Sequence, residues 1–412
     1  MRGVRHTVHR LAIPALVVAL CVPAPASARS FRDMFPDVAR QTGLEGGGAF
    51  DALADALADT AARSVPIVSA SAGFTYRYNP QAEVFERTSD TLGPIFLERP
   101  DTIGRNKFNV NVSYQYVDLD QFDGDDTDSL ENDDPLVARV TDVDGTLTGF
   151  TANRLRYDFS LVNHVTAVSA TYGVLDELDV NLLVPIVVTD FDVSTARRIV
   201  ATAGTDAVFG PLDESAPVVS GSDGGTRTGV GDVLLRGKYQ LPRWGALRSA
   251  LGLTFRLPTG DEDDFQGTGA FEASPNVYLS TLCWGRLEPH ANFGIDFNAD
   301  DVSRTQVRYG LGADVDVTKR IGVALAFLGR SEFEGVADDE DTRFLHLVNG
   351  TLQQEPLLGL DFDRKNYFDL SFGARAVVWR QIMLFVNGIY ALNDDGLRNS
   401  TIIPAVGVEG TF

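Results

Sequence analysis

From residue 106 onward the chain obeys one constraint. Apolar and polar residues alternate in stretches of 9–15 residues, and within a stretch one parity carries no charge. In "LEPHANFGIDF" (287–297) Glu288, His290 and Asp296 are all even-numbered and the odd positions are apolar. In "VRYGLGADVDV" (307–317) Arg308, Asp314 and Asp316 are even, against Val307, Tyr309, Leu311, Ala313 and Val315. In "FDLSFGARA" Asp369 and Arg375 are odd, against Phe368, Leu370 and Phe372. A strand points successive side chains to opposite faces, so each stretch reads as a strand with one charge-free face. A soluble sandwich alternates too, but it has no need to forbid charge so strictly. A lipid-facing exterior around a polar interior does. The same theme closes the chain. In "TIIPAVGVEGTF" Ile402, Pro404, Val406, Val408, Gly410 and Phe412 share one parity. A strand in that place needs a neighbour on both sides, because an open edge invites aggregation, and a closed barrel supplies both.

Twelve such stretches can be counted, among them "KFNVNVSYQY", "RLRYDFSL", "ELDVNLLVPIVV", "LGLTFRL" and "IMLFVNGIY". In "RLRYDFSL" the apolar parity is Leu155, Tyr157, Phe159 and Leu161, and it is expected on the same lipid-facing side as the others. Even strand numbers are the rule for bacterial outer-membrane barrels. Long connections alternate with tight ones. The long ones are expected at residues 120–152, 193–227, 258–270, 299–304, 334–365 and 392–399, and the tight ones at "LPRWG", "CWGR", "VTKR" and "WRQ". Short periplasmic turns and long external loops produce this alternation, and both ends of the barrel segment then lie in the periplasm.

The N-terminus supports export. Arg2, Arg5 and Arg10 precede an uncharged stretch, 11–28, that ends in Ala26-Ser27-Ala28, so residues 1–28 read as a cleaved secretory signal peptide. The protein is therefore expected in the outer membrane of a Gram-negative-type cell. The 412-residue chain carries 57 acidic and 35 basic residues, a formal charge of −22. Nucleic acid is an unsuitable partner for such a chain, because phosphate binding needs basic surface. Past residue 28 one cysteine remains, Cys283, so no internal disulfide is expected.

Residues 29–105 lack the long alternating stretches of the remainder. "GLEGGGAFDALADALADTAAR" offers a glycine linker and a short amphipathic helix, with Phe50, Leu53 and Leu57 on one face and Asp51, Asp55 and Asp59 on the other. Like charges at i,i+4 weaken such a helix, which then needs a partner surface. "SAGFTYRYNPQAEVFER" reads as a hairpin turning at Asn79-Pro80. The organisation expected is a signal peptide (1–28), a periplasmic or plug segment (29–105) and an all-β, transmembrane, antiparallel up-and-down barrel of about twelve strands (106–412).

"GVGDVLLRGKYQLP" (229–242) and "FRLPTGDEDD" (255–264) carry a resemblance. Gly-x-Gly-Asp, a Lys-Tyr strand end and Leu-Pro-Thr-Gly-Asp together resemble the phenol-degradation meta-pathway family of outer-membrane transporters. The stretch from "SAGFTYRYNP" to "SYQYVDLD" is similar to the N-terminal region of some members. The resemblance implies a barrel and, loosely, uptake of small organic compounds.

The candidate lumen residues are Asp232, Arg236, Lys238, Arg256, Glu288, Arg308, Asp314, Asp369 and Arg375, all on polar parities. About the "LPRWG" turn, facing residues should sum to about 488 within two, which sets Asp232 opposite Arg256 as an ion pair near the external mouth. Such a cluster selects anions or orients a polar solute, or it holds register. Phe385 is expected on the lumen side. Acidic loops, with nine acids in 118–134 and further runs at 261–264 and 338–341, suit divalent cations but match no calcium-loop spacing. The histidines beyond residue 28, His164, His290 and His346, stand in no nucleophile or zinc motif, so no catalytic residue, metal or cofactor is assigned. These residues support two functions. One is a channel passing small solutes, organic or aromatic compounds among them, through a charged lumen. The other is a structural or surface-interaction barrel whose acidic loops bind divalent cations or lipopolysaccharide. The expected partners are outer-membrane lipid and lipopolysaccharide, a small solute, and the barrel-assembly machinery through Phe412.

Overall fold

A computed structural model describes residues 29–44, 48–64, 76–79, 84–87, 92, 95–335, 343–360, 362–379 and 381–412. The signal peptide assigned to residues 1–28 lies outside the described residues. Twelve antiparallel strands close into a barrel. They are β1 (Phe108–Leu119), β2 (Leu147–Gly173), β3 (Leu178–Ala203), β4 (Val218–Val230 and Val233–Gln240, interrupted at 231–232), β5 (Leu247–Leu257), β6 (Glu272–Thr281), β7 (Leu287–Asn298), β8 (Gln306–Asp316), β9 (Ile321–Glu332), β10 (Asn366–Trp379), β11 (Ile382–Ala391) and β12 (Ile402–Thr411). Neighbours in sequence are neighbours in space, and β12 closes the ring on β1 with Thr411 opposite Asn109 and Ala405 opposite Gln115. Among the described residues no helix is long and apolar enough to cross a membrane.

The charge-free face points outward. Val112, Leu182, Leu253, Phe293, Leu325 and Val386 are all exposed on the outer wall. A soluble monomer rarely leaves so much contiguous apolar surface uncovered, and lipid covers it here. All three tryptophans mark one end of this belt. Trp244 and Trp284 sit in tight turns and Trp379 at the end of β10, and each is exposed. Aromatic girdles lie at the membrane–water boundary, so these residues fix the turn-bearing, periplasmic level. Phe108 and Phe412 exchange backbone hydrogen bonds at the same end.

One expected loop, 193–227, is instead largely wall, and another, 120–152, gives its last residues to a strand. β2 has 27 residues and β3 has 26, whereas a tilted strand needs only about 9–11 to cross the apolar layer. They continue past the membrane into the regions expected as loops, and the described turn between β3 and β4 shrinks to 204–217. The polarity of β2 inverts where it leaves the lipid. Low on the strand Val168 and Tyr172 face out, while Asn163, Ser169 and Thr171 face in. Higher up, Leu155, Tyr157, Phe159 and Leu161 are buried inside and Arg156 and Asp158 lie outside. The apolar parity of "RLRYDFSL" is therefore an interior face and not a lipid face. Above the membrane the exterior meets water, and the apolar side must turn to whatever fills the barrel.

Two helices fill it. α1 (Phe31–Gln41) starts at Ser30, whose hydroxyl accepts the Asp33 N–H at 3.3 Å. α2 covers Gly48–Ser64. Phe31, Phe35, Val38, Phe50 and Leu57 bury against Tyr157, Phe159, Phe191 and Phe265 of the wall and its external loop. Phe35 stacks on Tyr157 at 4.6 Å. Asp59 does not face solvent as the helical wheel suggests, because it is buried beside Arg63 at 2.8 Å. Residues 95–105 also lie inside the barrel, where Ile95 packs on Phe385, and the Leu97 side chain lies where a Cβ on Gly310 or Gly312 would meet it within 2.8 Å. Only glycine lets the segment approach the wall this closely. The short strands Tyr76–Asn79 and Val84–Arg87 pair with Asn79 opposite Val84, and the turn expected at Asn79-Pro80 falls at the edge of 80–83, which lie outside the described residues.

The outer mouth is covered by a hairpin, Arg343–Val348 with Thr351–Pro356, joined to the first external loop through His346 opposite Leu136. The buried His346 ring lies 2.7 Å from the Asn132 amide and 3.1 Å from the Phe344 carbonyl. A neutral ring satisfies both, donating to the carbonyl and accepting from the amide. Burial pushes the imidazole below its ordinary value of 6.5. Protonation therefore favours the opened cover. Its stability is constant above about pH 6.5 and falls as pH drops from there through the lowered folded-state value. Amide exchange in 343–356, corrected for intrinsic rate, should be faster at pH 5 than at pH 7.5. Equal protection at both values would contradict this.

Candidate functional site

All nine residues singled out from the sequence lie on the inward parity, but they do not form one cluster. The chain segment 95–105 separates them into two layers.

The lower layer sits near the periplasmic turns. Glu288 approaches Arg248 at 2.5 Å, and Arg248 reaches Asp101 at 2.6 Å. Asp314 lies 2.7 Å from the His290 ring. Arg375 donates to the Leu92 carbonyl at 3.0 Å and stands 3.9 Å from Glu409. Lys238 donates to the Arg99 carbonyl at 3.1 Å and stands 3.7 Å from the Glu98 carboxylate. The charges of this layer thus tie the N-terminal segment to the wall. Glu288, His290 and Asp314 bring their ligand atoms within 4.8 Å of one another, a set of donors that could hold a metal ion. The pairs Arg248–Glu288 and His290–Asp314 already account for these three groups.

The upper layer holds Asp232, Arg256, Arg308 and Asp369, with Arg236 at its lower edge. Asp232 and Arg256 do approach, but at 3.7 Å and not as facing strand residues. The register about "LPRWG" sets Leu234 opposite Arg256 and Val233 opposite Leu257, two residues from the expected sum. Asp232 stands at the interruption of β4, where its carboxylate accepts from the Gly260 N–H, the Thr268 N–H and the Thr268 hydroxyl at 2.9–3.1 Å. The Gly-Asp and Pro-Thr-Gly-Asp stretches that carry the family resemblance meet here, and their role in this structure is to fold the external loop 258–271 back onto the barrel rim. The closer carboxylate for Arg256 is Glu272 at 3.1 Å, whose other oxygen takes Arg63 of α2 at 2.8 Å. Sequence reasoning does not single out Glu272 or Arg63. Glu272 opens β6 after a loop, too early for its parity to be read, and Arg63 belongs to the segment before the barrel.

Arg308 pairs with Asp296 at 2.6 Å and Asp369 with Arg398 at 3.1 Å. Between α2 above and residues 96–98 below, these side chains line a cavity of about 250 Å3. Six arginines line it, Arg63, Arg236, Arg256, Arg308, Arg330 and Arg398, against the carboxylates Glu98, Glu272, Asp296 and Asp369. Leu328, Ile389, Leu397 and Ile403 give it an apolar wall. Gly294 and Gly310 also line it, and the side chains of Asn276 and Leu97 close in over them.

A closed twelve-stranded barrel with an apolar belt, a charged interior and an N-terminal segment inside the lumen defines an outer-membrane β-barrel protein. Over residues 149–381, more than half of its length, the chain matches the profile of the family described as "Putative MetA-pathway of phenol degradation", and it belongs to that family. Among solved structures it is similar to an outer-membrane channel from Pseudomonas putida F1, at 13% identity over 76% of this chain and 97% of the other with a TM-score of 0.44. It is also similar to a FadL homologue of Pseudomonas aeruginosa, at 11% identity over 75% and 90% with a TM-score of 0.35. A third is the CymD monoaromatic hydrocarbon channel, at 9% identity over 76% and 91% with a TM-score of 0.34. A comparison with curated proteins gives no match.

Proposed function

We propose that the protein is an outer-membrane channel for small organic solutes, with residues 29–105 as its internal plug. One observation carries this reading. The lumen is filled from the N-terminal segment at two levels, and between them lies a cavity with both charged and apolar walls. A barrel serving only as scaffold gains nothing from leaving that space, since an unfilled void forfeits packing contacts. The cavity is smaller than the roughly 300–1,000 Å3 typical of pockets for drug-sized molecules, which fits a one-ring or short-chain compound. The family's name points to the same class of molecule. The exposed apolar belt holds the barrel in outer-membrane lipid, with lipopolysaccharide around its outer rim, and a cleaved leader at 1–28 accounts for its export.

The test is solute entry into liposomes carrying the purified full-length barrel. Entry of one-ring aromatic compounds is expected well above that in protein-free liposomes, with exclusion of a trisaccharide. Absence of any solute entry under these conditions would sink the channel reading and favour a structural barrel.

A further inference from the structure

One pair of side chains in the upper layer contradicts the rule that the rest of the lumen follows. Arg308 on β8 and Arg330 on β9 stand directly opposite each other, both facing in. Like charges in facing strand positions destabilise a sheet. Arg308 is balanced by Asp296. Arg330 has no carboxylate within ion-pair distance among the described residues. Its guanidinium lies 3.8 Å over the ring of Tyr367, the residue facing it on β10, and one nitrogen donates to the Arg63 carbonyl at 2.7 Å. Arg398 lies over the same ring at 5.2 Å. Aromatic stacking and a single carbonyl fix the orientation of a guanidinium, but they leave most of its five N–H donors for something else.

We propose that Arg330, oriented by Tyr367 and seconded by Arg308, is the binding point for the carboxylate of a small organic acid. The proposal rests on the channel reading and names its substrate class. A planar guanidinium matches a carboxylate through two parallel hydrogen bonds. Across the same cavity Leu328, Ile389, Leu397 and Ile403 offer an apolar surface to the body of the molecule. A phosphate or a dicarboxylate is the poorer fit, because the apolar wall cannot replace the water that such ions carry. Local rules broken without an evident compensation mark functional sites, and Arg330, which unlike Arg308 lacks a paired carboxylate among the described residues, is such a place.

Benzoate and benzamide serve as the probes, equal in shape and different in charge. Equilibrium binding of each to the detergent-solubilised full chain, and entry of each into liposomes, would be measured for the natural protein, Arg330→Gln and Arg330→Lys. Benzoate should be preferred by roughly tenfold or more, the scale of one charge-assisted hydrogen bond. Arg330→Gln should abolish that preference without weakening benzamide, and Arg330→Lys should restore part of it. Benzamide handled as well as benzoate by the natural protein would overturn the carboxylate assignment and leave the channel intact. Neither probe binding or entering would overturn the channel reading and this proposal with it. Should a variant fail to fold, the benzoate-to-benzamide ratio of the natural protein still decides.

Discussion

Deleting residues 29–105 is expected to turn a nearly silent barrel into a steadily conducting pore, with planar-bilayer conductance rising by roughly tenfold or more, because twelve strands enclose more space than side chains alone fill. The full-length lumen is obstructed twice. α1 and α2 occupy the part above the lipid, held by Arg32 on Asp55 and Asp263, the Tyr157 hydroxyl on the Phe35 carbonyl, and Arg197 on the Thr42 carbonyl. Residues 95–105 obstruct the lower part, held by Arg248 on Asp101 and by the Ile103 N–H on Asp179. Among the described residues no wall strand comes from 29–105, so every described barrel pairing survives the deletion. The cost falls on the upper wall, where Tyr157, Phe159 and Phe191 lose their cover. Folding is checked by the mobility difference between unheated and boiled samples in electrophoresis. A truncated barrel that folds and conducts no better than the full chain would place the obstruction in the external loops, with the hairpin 343–356 as the first suspect. A shorter deletion, 29–64, should give an intermediate conductance, because the lower obstruction remains.

Much of the barrel is legible in the sequence because lipid imposes a binary rule. A charge on the outer parity is costly at the bilayer centre, so strand, face and order can be read wherever the strand lies within the apolar layer. Leu182, Leu253 and Val386 obey that rule and do face outward. The rule ends where the lipid ends. Leu155, Tyr157, Phe159 and Leu161 keep the alternation but face the other way, since above the membrane an apolar face seeks protein and not lipid. Alternation alone cannot show which side is which. The pattern for a strand in lipid and for one packed on a helix is the same two-residue period. The site is legible in kind but not in arrangement. Parity identifies nine inward charges, yet which of them meet depends on a segment that lies outside the barrel sequence. Glu98, Asp101 and Arg63 supply partners from that segment, and no periodicity in the strands announces them. Arg330 is hidden for a related reason. "IGVALAFLG" reads as an uncharged strand that stops one residue before it, whereas β9 continues through Glu332.

Replacing Glu272 by Gln should loosen the plug from the wall more than any other single change among these lumen pairs. Each carboxylate oxygen serves a different arginine, Arg63 of α2 at 2.8 Å and Arg256 of β5 at 3.1 Å. The three side chains have little solvent to fall back on, with exposures of 2% for Glu272, 4% for Arg63 and 16% for Arg256. A glutamine keeps the shape but offers one oxygen and one NH2, so one arginine loses its acceptor and meets a donor instead. Breaking a buried ion pair costs about 3–5 kcal/mol when one charge is left uncompensated. The lower end of that range applies here, because Asp59 still holds Arg63 at 2.8 Å and Asp232 stands 3.7 Å from Arg256. The loss is local to the contact between plug and wall. Amide exchange should therefore rise in α2 and at the start of β6 while the lower strands stay protected, and the bilayer trace should show brief openings that the natural barrel lacks. The variant Glu272→Asp keeps the charge with a shorter reach and should lie between the two. Unchanged exchange in α2 together with an unchanged trace would mean that Phe31, Phe35 and Phe50, and not the charges, hold the plug in place.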